Sequence, residues 1–318
     1  MHIPLGLPPP DRRPHDFLAV GANSLDLIAV VHPFPVPDGK QPMRRYLESP
    51  GGEAATAAVA VARLGYRARY IGRFGADLFG QAGLAALADA GVDTDAVVTV
   101  PGARSQFAII LVEEAGGRRS VISHREPAIV LEPGDTPPAA AANARIVFVD
   151  GHAPAAALGV ANAARAAGTP VLLDLDHAGE AAEALVAAAD VVFVPAGVAE
   201  AITGRAGLGE ALEALQRASG APIVGATLGP EGSLTRARGQ ELRTPAFRVP
   251  VTDTTGAGDA FRAGFAAGWL ALGRDAGLAD VLRWAAAVAA LSCRALGAQA
   301  ALPVAAEVAA LLGGPGSV

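Results

Sequence analysis

The sequence predicts an α/β protein: a three-layer αβα sandwich with a mostly parallel sheet and a small β-sheet lid. From residue 145 onward, short β-type runs alternate with alanine-rich helical segments, which is typical of parallel strands with helices on both faces. Two strand-rich stretches, 25–47 and 97–125, break this alternation. In a third feature, the run Thr252–Gly264, small residues and an acid stand where a helix is predicted to begin.

Composition limits the classes of function. A net charge of −6 argues against general binding to nucleic acid or to an anionic membrane surface. The longest run without charge, Gly151–Ala164, is shorter than the roughly 20 apolar residues of a membrane helix. The single cysteine, Cys293, excludes an internal disulfide and fits a reducing, cytoplasmic location. We therefore expect a cytoplasmic protein with a small-molecule substrate.

The N-terminal part divides between the two predicted sheets. Residues 1–16 contain five prolines and no apolar signal region, so we expect a disordered leader. We assign 17–24, 48–96 and 126–318 to the α/β domain, and 25–47 with 97–125 to the lid. A glycine follows each of the two helices predicted in this part of the chain, and Gly116-Gly117 predicts a hairpin turn. The predicted strands are Phe17–Gly21, Leu25–Val31, Gln41–Leu47, Arg69–Gly72, Val97–Val100, Gln106–Glu113 and Arg119–Ser123, and the helices are Glu53–Leu64 and Gly80–Ala90.

The C-terminal part has the regular alternation. Strands are predicted at Ile146–Asp150, Val171–Asp174, Val191–Val194 and Ile223–Thr227, followed by a hairpin of Ser233–Ala237 and Gln240–Thr244. Helices are predicted at Pro154–Ala167, Ala178–Ala188, Val198–Ile202, Gly209–Ser219, Asp259–Leu272, Leu278–Leu296 and Val304–Leu312.

The most informative motif is Gly256-Ala257-Gly258-Asp259. Small residues let the backbone present N–H groups at a helix N-terminus, where an anion is favoured. A carboxylate beside such an anion hole can take a proton from an attacking hydroxyl. The motif therefore indicates phosphoryl transfer to an alcohol; a plain capped helix after a tight turn is the alternative interpretation.

These motifs resemble those of the ribokinase, or PfkB, family of carbohydrate kinases. Asp253–Asp259 matches the family's D-T-x-G-A-G-D signature throughout. Gly51-Gly52, followed by a helix that ends in Arg63-Leu64-Gly65, is similar to the N-terminal signature. Ile71–Gly80 matches the next segment, I-G-x-x-G-x-D-x-x-G. The resemblance covers nearly all of residues 17–303 and implies a ribokinase-like sandwich with a lid.

The resemblance implies roles for individual residues. Asp259 would be the catalytic base, and Gly256, Ala257 and Gly258 would form the anion hole. Asp26 falls where the family binds sugar hydroxyls, and a carboxylate can accept bonds from two neighbouring hydroxyls. The remaining residues implied to bind sugar are Gly51, Gly52 and Thr56, and those implied to bind nucleotide are Thr227, Gly229 and Gly232, with Gly256 and Gly258.

The chain also departs from the family pattern. Thr56 replaces the Asn of most members, and Pro195–Val198 lacks both polar residues of the N-x-x-E motif that helps to organise magnesium. We therefore expect magnesium to depend on the nucleotide and on other acids, with Asp174 and Asp176 as candidates. Asp253 and Thr255 align with positions that bind a monovalent cation in some members, so potassium is a further expectation.

The segment after Gly51-Gly52 is closest in motif to the sulfofructose-kinase-like branch. Lys40 could reach an anionic group on the substrate, with His152 and Ser123 as further positions to inspect. Phe107 is a candidate substrate contact in the lid. The interpretation of Lys40 as a solvated turn residue stays open.

We therefore predict ATP- and Mg²⁺-dependent phosphorylation of a primary hydroxyl of a sugar or sugar derivative. Homodimerisation through the lid is expected. A nucleoside kinase is the first alternative, which an aromatic lid would favour; a hydroxymethylpyrimidine-type kinase is disfavoured because that type lacks a lid. A non-catalytic sugar sensor is the remaining alternative. No P-loop, zinc cluster or protein-kinase catalytic loop is found in the sequence.

Overall fold

A computed structural model describes residues 1–114, 119–137 and 139–313. The strands are β1 (His15–Val20), β2 (Ser24–Val31), β3 (Arg45–Gly51), β4 (Ala68–Ile71), β5 (Arg73–Gly75), β6 (Val98–Val100), β7 (Phe107–Glu113), β8 (Arg119–His124), β9 (Ala144–Asp150), β10 (Val171–Asp174), β11 (Val191–Pro195), β12 (Ile223–Thr227), β13 (Ser233–Ala237) and β14 (Gln240–Thr244). The helices are α1 (Glu53–Arg63), α2 (Leu78–Asp89), α3 (Pro154–Ala166), α4 (Ala182–Ala188), α5 (Ala196–Thr203), α6 (Leu208–Ser219), α7 (Ala257–Leu272), α8 (Leu278–Ser292) and α9 (Ala305–Gly313).

The main sheet has eight strands in the order β14-β13-β12-β11-β10-β9-β1-β4. Its pairings are parallel from β12 to β4, and the hairpin β13–β14 is added antiparallel at one edge. Parallel strands buried on both faces need apolar residues at successive positions. β1 meets this need because Phe17 and Ala19 enter one core, whereas Leu18 and Val20 enter the other.

Helices cover both faces of this sheet. The first core contains side chains of α1, α7 and α8, and the second contains those of α3, α4 and α6. Aromatic packing in the first core centres on Phe193, which meets Phe261 and Phe265 edge to face. The predicted three-layer sandwich is confirmed. Because the strands are parallel, their carboxyl ends share one edge, where β10, β11 and the start of α7 meet.

The lid sheet is the four-stranded sheet β3-β2-β7-β8. One face places Ile28, Ile110 and Val112 against Leu296. β3 begins four residues later than the predicted strand Gln41–Leu47, because its register is set by antiparallel pairing with β2, from Arg45 opposite Val30 to Gly51 opposite Ser24. The Gly116-Gly117 turn lies outside the described residues.

The small sheet differs from the predicted lid in one further respect. β6 lies within 97–125, but it pairs in parallel with β5 as a separate two-stranded sheet. Three-residue strands carry too little pattern to indicate their partner, so this pairing depends on where the chain folds back after α2.

The N-terminal residues pack against the α/β domain, which corrects the expectation of a disordered leader. Ile3 is buried in the first core, and its N–H donates to the Ala276 carbonyl at 3.2 Å. The guanidinium of Arg145 holds the Pro8 carbonyl at 2.9 Å. The prolines of this segment have no backbone N–H to donate. The contacts come instead from the apolar Ile3 and from side chains of the domain, and composition does not reveal these partners. Within the described ranges, no helix has both the length and the apolarity needed to cross a membrane.

Candidate active site

The anion loop, residues 253–259, turns into helix α7 through a left-handed glycine. Gly256 has φ +75°, and a Cβ at this position would lie 2.7 Å from the Cβ of Ala298. The first bond of the helix runs from the Ala260 N–H to the Gly256 carbonyl at 2.9 Å. The helix therefore supplies no acceptor for the N–H groups of residues 257–259, although that of Ala257 donates to Thr254 at 3.2 Å. Those of Gly258 and Asp259 remain as the donors that α7 can offer an anion.

Asp259 stands in the first turn of α7, partly buried. Burial raises the pKa of its carboxyl to about 7; the charge of Arg262 opposes the rise, and those of Asp150, Asp176 and Asp26 add to it. A carboxylic acid that titrates near neutral pH is suited to accept a proton from a hydroxyl. A carboxyl group with a raised pKa and the free N–H groups therefore lie in the same helical turn, and the role of Asp259 as a base stays a prediction.

Asp26 lies in β2 at the base of the lid sheet, next to the two glycines before α1. Burial raises its pKa to about 6, and the hydroxyl of Ser24 donates to it. A Cβ on Gly51 would lie 2.4 Å from the Asp26 carboxylate, and one on Gly52 (φ +88°) would lie 2.4 Å from the Cα of Asn23. Glycine is required at both positions for the lid strand to approach this carboxylate and the β1–β2 loop.

Thr56 lies fully buried in α1, one turn after the two glycines. Its hydroxyl accepts a hydrogen bond from the Gln299 side chain at 3.3 Å. The hydroxyl therefore joins α1 to the segment before α9. Thr56, which is shorter than the family's Asn, therefore has a structural hydrogen-bond partner in Gln299, and the sequence did not indicate this partner.

A second cluster contains Glu53, His152 and Asp176. Nε2 of His152 lies 2.6 Å from Glu53, and the ligand atoms of the three side chains lie within 4.8 Å of one another. Arg125 donates to Nδ1 of His152 at 2.9 Å, so Nδ1 accepts and the ring proton is on Nε2, whereas the Glu53 oxygen beside Nε2 has no hydrogen-bond partner among the described residues. This tautomer disfavours His152 as a metal ligand. The carboxylates of Glu53 and Asp176 remain as oxygen ligands of the kind that Mg²⁺ takes.

The two acids predicted to organise magnesium have different surroundings. Asp176 is half exposed and contacts His177, whereas Asp174 is buried and paired with Arg262 at 2.8 Å. Burial raises the pKa of Asp174 well above its ordinary value, against the opposing charge of Arg262. Because one Asp174 oxygen is already taken by the arginine, Asp176 is the better placed of the two. Arg262 was not among the predicted site residues, although it is the one charged residue of α7 besides Asp259 and so was a visible signal.

Asp253 organises the anion loop. One of its carboxylate oxygens accepts from the N–H and the hydroxyl of Thr255, at 3.0 and 2.8 Å, and the other accepts from the Gly297 N–H at 2.9 Å. These contacts join the loop to the chain that follows α8. Cation binding by Asp253 and Thr255 stays a prediction.

The predicted nucleotide turn joins β12 to β13. Thr227 ends β12, and Gly229 (φ +57°) and Gly232 (φ +91°) both have left-handed backbones. A Cβ on Gly232 would meet the Thr244 carbonyl at 2.0 Å, whereas Gly229 has open space around it. Glycine is therefore needed at Gly232 for packing, and the open side of Gly229 is accessible to a ligand.

Two predicted substrate contacts lie apart from Asp26. In the paired register of β2 and β7, Asp26 is opposite Ala108 and Leu25 is opposite Phe107, so Phe107 lies on the other face of the lid sheet. Its ring instead contacts Phe79 and His124. Lys40 is exposed in the connection between β2 and β3. Strand parity, which depends on exact register, excludes Phe107 from the Asp26 face.

Comparison with known proteins gives matches over almost the whole chain. The model of the pfkB family carbohydrate kinases matches residues 15–305. An ATP-dependent ribose-1-phosphate kinase of Halopiger xanaduensis is 32% identical over 302 residues, covering 93% of this chain and 97% of that protein.

Solved structures agree with this match. The ribokinase of Arabidopsis thaliana, complexed with ribose and ATP, has a TM-score of 0.81 at 25% identity and covers 95% of this chain and 99% of its own. A fructokinase of Xylella fastidiosa with bound ATP has a TM-score of 0.79 at 28% identity, with 93% and 98% covered. A family match of this extent, together with the anion loop and Asp259, identifies the chain as a kinase that belongs to the pfkB family of carbohydrate kinases.

Proposed function

We propose that the protein transfers the γ-phosphoryl group of ATP to a primary hydroxyl of a sugar or sugar derivative, with Asp259 as general base. One observation supports this most directly: a carboxyl group that titrates near neutrality lies in the same helical turn as N–H groups without an acceptor in the helix. Phosphoryl transfer depends mainly on positioning and on stabilising charge. Neutral backbone donors suit a charge that moves from the nucleotide to the acceptor.

The acceptor would lie between Asp259 and Asp26. The Asp26 carboxylate accepts hydrogen bonds from sugar hydroxyls, and the absence of side chains at Gly51 and Gly52 lets the sugar approach the backbone. The related protein of Halopiger is named for ribose 1-phosphate, and the Arabidopsis ribokinase holds ribose. Both names support a sugar or sugar phosphate as the acceptor. An aromatic lid would favour a nucleoside, but Phe107, the predicted aromatic contact in the lid, faces away from Asp26, so the nucleoside alternative has weaker support.

The nucleotide would lie over the anion loop with its phosphates toward Gly258. The turn of Thr227, Gly229 and Gly232 supports this placement because it leaves open space at Gly229. Mg²⁺ would neutralise phosphate charge when bound with the nucleotide, and Asp176 is the residue that would hold it. The proton of the acceptor hydroxyl would pass to Asp259 as the new P–O bond forms and the bond to ADP breaks.

We also propose a homodimer that is formed through the lid sheet. On the face opposite Ile28 and Ile110, three strands expose Tyr46, Ile109 and Ile122, with exposed fractions of 55%, 40% and 60%. An apolar face of this kind on a sheet of few strands favours a partner of its own type. Sedimentation of the parent and of Ile109→Lys tests this: a dimer that becomes a monomer supports it, and a monomeric parent contradicts it.

The central experiment measures ATP consumption by the parent and by Asp259→Asn over a panel of sugars, sugar phosphates and nucleosides. We expect the variant to lose about 10²–10⁴-fold in kcat, as for removal of a general base. Asp280→Asn is the matched control, because Asp280 is the third residue of α8, as Asp259 is of α7, but is exposed. Equal turnover in Asp259→Asn and the parent would contradict the base assignment, and no turnover by the parent on any acceptor would favour a non-catalytic binding protein.

A further inference from the structure

A buried arginine lies directly behind the anion loop. Arg262 follows Asp259 by three residues, so both side chains lie on the same side of α7. Only 3% of the Arg262 side chain is exposed. An arginine is rarely buried to this extent unless its charge and its donors are used.

The guanidinium contacts two neighbouring strands, β10 at its last residue and β11 at its third residue. Nε and Nη2 donate to the Phe193 carbonyl in β11 at 3.1 and 2.8 Å, and Nη2 also lies 2.8 Å from the Asp174 carboxylate at the end of β10. β11 continues into Pro195-Ala196-Gly197-Val198, which has no side chain able to form such contacts. The polar contact at these strand ends therefore comes from α7.

The other side of the guanidinium reaches the anion loop itself. A Cβ on Gly258 would lie 2.7 Å from Nη1 of Arg262. Because Nε and Nη2 are held by Phe193 and Asp174, the guanidinium could not swing aside to admit that Cβ. Gly258 and Arg262 are thus fitted to one another, and the position of the first turn of α7 depends on this arginine.

Arg262 is also the counter-charge in a site rich in acids. Asp174 is paired with it, and the other oxygen of Asp174 has no hydrogen-bond partner among the described residues. Its charge lowers the pKa of Asp259, against the effects of burial and of the neighbouring acids. The charged groups that act on Asp259 or lie beside it are Asp26 of β2, Glu53 of α1, Asp150 of β9, Asp174 of β10, Asp176 after β10, and Arg262 of α7 itself.

We propose that Arg262 is a positioning residue for phosphoryl transfer, which fixes the first turn of α7 against the ends of β10 and β11 and supplies the positive charge behind Asp259. The proposal deepens the proposed kinase function and rests on it for its kinetic consequence. Two substitutions distinguish the positioning of the first turn of α7 from the supply of positive charge. A lysine would keep the charge but would lose the planar set of donors, whereas a methionine would lose both.

The test uses Arg262→Met and Arg262→Lys in the full chain, with Arg283→Met as control. Arg283 lies in α8 over the ring of Phe247, away from the anion loop. The titration of Asp259 is followed by ¹³C NMR of protein labelled at the aspartate carboxyl carbon and is assigned by its loss in Asp259→Asn. Kinetics with ATP and the best acceptor, as a function of pH, form the second measurement.

We expect Arg262→Met to raise the pKa of Asp259 by about one unit, a tenfold shift in its ionisation. The acid limb of its pH–rate profile should move upward by the same amount, and kcat should fall about 10–100-fold, the scale of a misplaced reacting group. KM for ATP should change less than kcat, since the proposed nucleotide turn of Thr227, Gly229 and Gly232 is left unaltered. Arg262→Lys should restore the Asp259 titration but only part of kcat, and Arg283→Met should match the parent in both.

An unchanged Asp259 titration in folded Arg262→Met would overturn the role of the charge. Full kcat in Arg262→Lys would overturn the positioning role, and this variant decides that point if Arg262→Met does not fold. If the parent consumes no ATP with any acceptor, the proposed kinase function fails instead. The NMR titration then still decides whether Arg262 acts on Asp259.

Discussion

The anion loop and the carboxylate cluster adjoin one another but are constructed in opposite ways. The loop is one continuous segment, residues 253–259, in which Asp253 bonds Thr255 and Gly256 supplies the turn. The cluster assembles Glu53, His152 and Asp176 from α1 and from loops after β9 and β10. Arg262, from the same helix as Asp259, pairs with Asp174 at the end of β10. A contiguous segment can hold backbone donors in place by itself, whereas neighbouring carboxylates need a whole sheet to bring them together and counter-charges to keep them there.

Among the variants that test this difference, Gly256→Ala should have the largest effect, because it alters the contiguous segment. An alanine at this position would have to adopt a left-handed backbone, at a cost of about 1–2 kcal/mol, and its Cβ would collide with Ala298. Because the helix start must then move, kcat should fall by about 10²-fold or more. Gly220→Ala is the matched control, with φ +69° and open space, and should lose stability without losing kcat. Equal kcat in the Gly256→Ala variant and the parent would show that the loop geometry is not needed.

Asp26→Asn tests the sugar side of the site. A lost hydrogen bond to a charged group should raise KM for the acceptor about 10–100-fold while KM for ATP stays close to that of the parent. Because burial raises the pKa of Asp26 to about 6, the parent carboxyl is protonated below that pH, and the difference between the two proteins should shrink there. Steady-state kinetics at pH 5 and pH 8 provide the measurement. A selective rise in KM for ATP would place Asp26 on the nucleotide instead.

The pH dependence of Asp259 has two consequences with defined signs. Because the base must be ionised and its pKa is about 7, kcat/KM should rise as pH increases through 7. The folded pKa is raised above the unfolded value, so the stability that the protonated group contributes is present below pH 3.8 and is lost as pH rises to about 7. Asp259→Asn cannot ionise and should gain in melting temperature relative to the parent between pH 4 and 7. A constant difference over this range would contradict the raised pKa.

Glu53→Gln should have the smallest effect, and it tests whether the cluster needs an ionised carboxylate at this position. Burial and the neighbouring acids raise the pKa of Glu53 well above its ordinary value, which favours the neutral, protonated side chain. Glutamine resembles that neutral form, and we expect kcat to change by less than about threefold, below 1 kcal/mol on the barrier. A loss of two orders of magnitude, or a changed Mg²⁺ requirement, would show that the ionised carboxylate is needed, for example as a metal ligand.

The fold could be predicted where the periodicity of a segment agrees with the turn residues on either side of it. β10, β12, β13 and β14 have the bounds that the pattern predicted, because each is a short β-type run between polar or glycine-rich turns. α8 ends earlier than predicted, at Ser292, since alanine-rich composition continues past the point where the chain turns to meet the anion loop. The late start of β3 and the pairing of β6 with β5 depend on register, which a short segment does not encode.

The features of the site also divide into those that the sequence indicated and those that depend on packing. Gly256, Gly258 and Asp259 lie within four consecutive residues, so the sequence alone indicated a helix start with free donors and an acid. Together with the family signature, it also indicated the reaction class. Packing between distant segments was needed to show that Phe107 faces away from Asp26, that Asp174 is paired with Arg262, and that Arg125 donates to Nδ1 of His152. The physical reason is that parity across a sheet and pairing of buried charges depend on packing between segments more than 65 residues apart, such as Phe193 and Arg262.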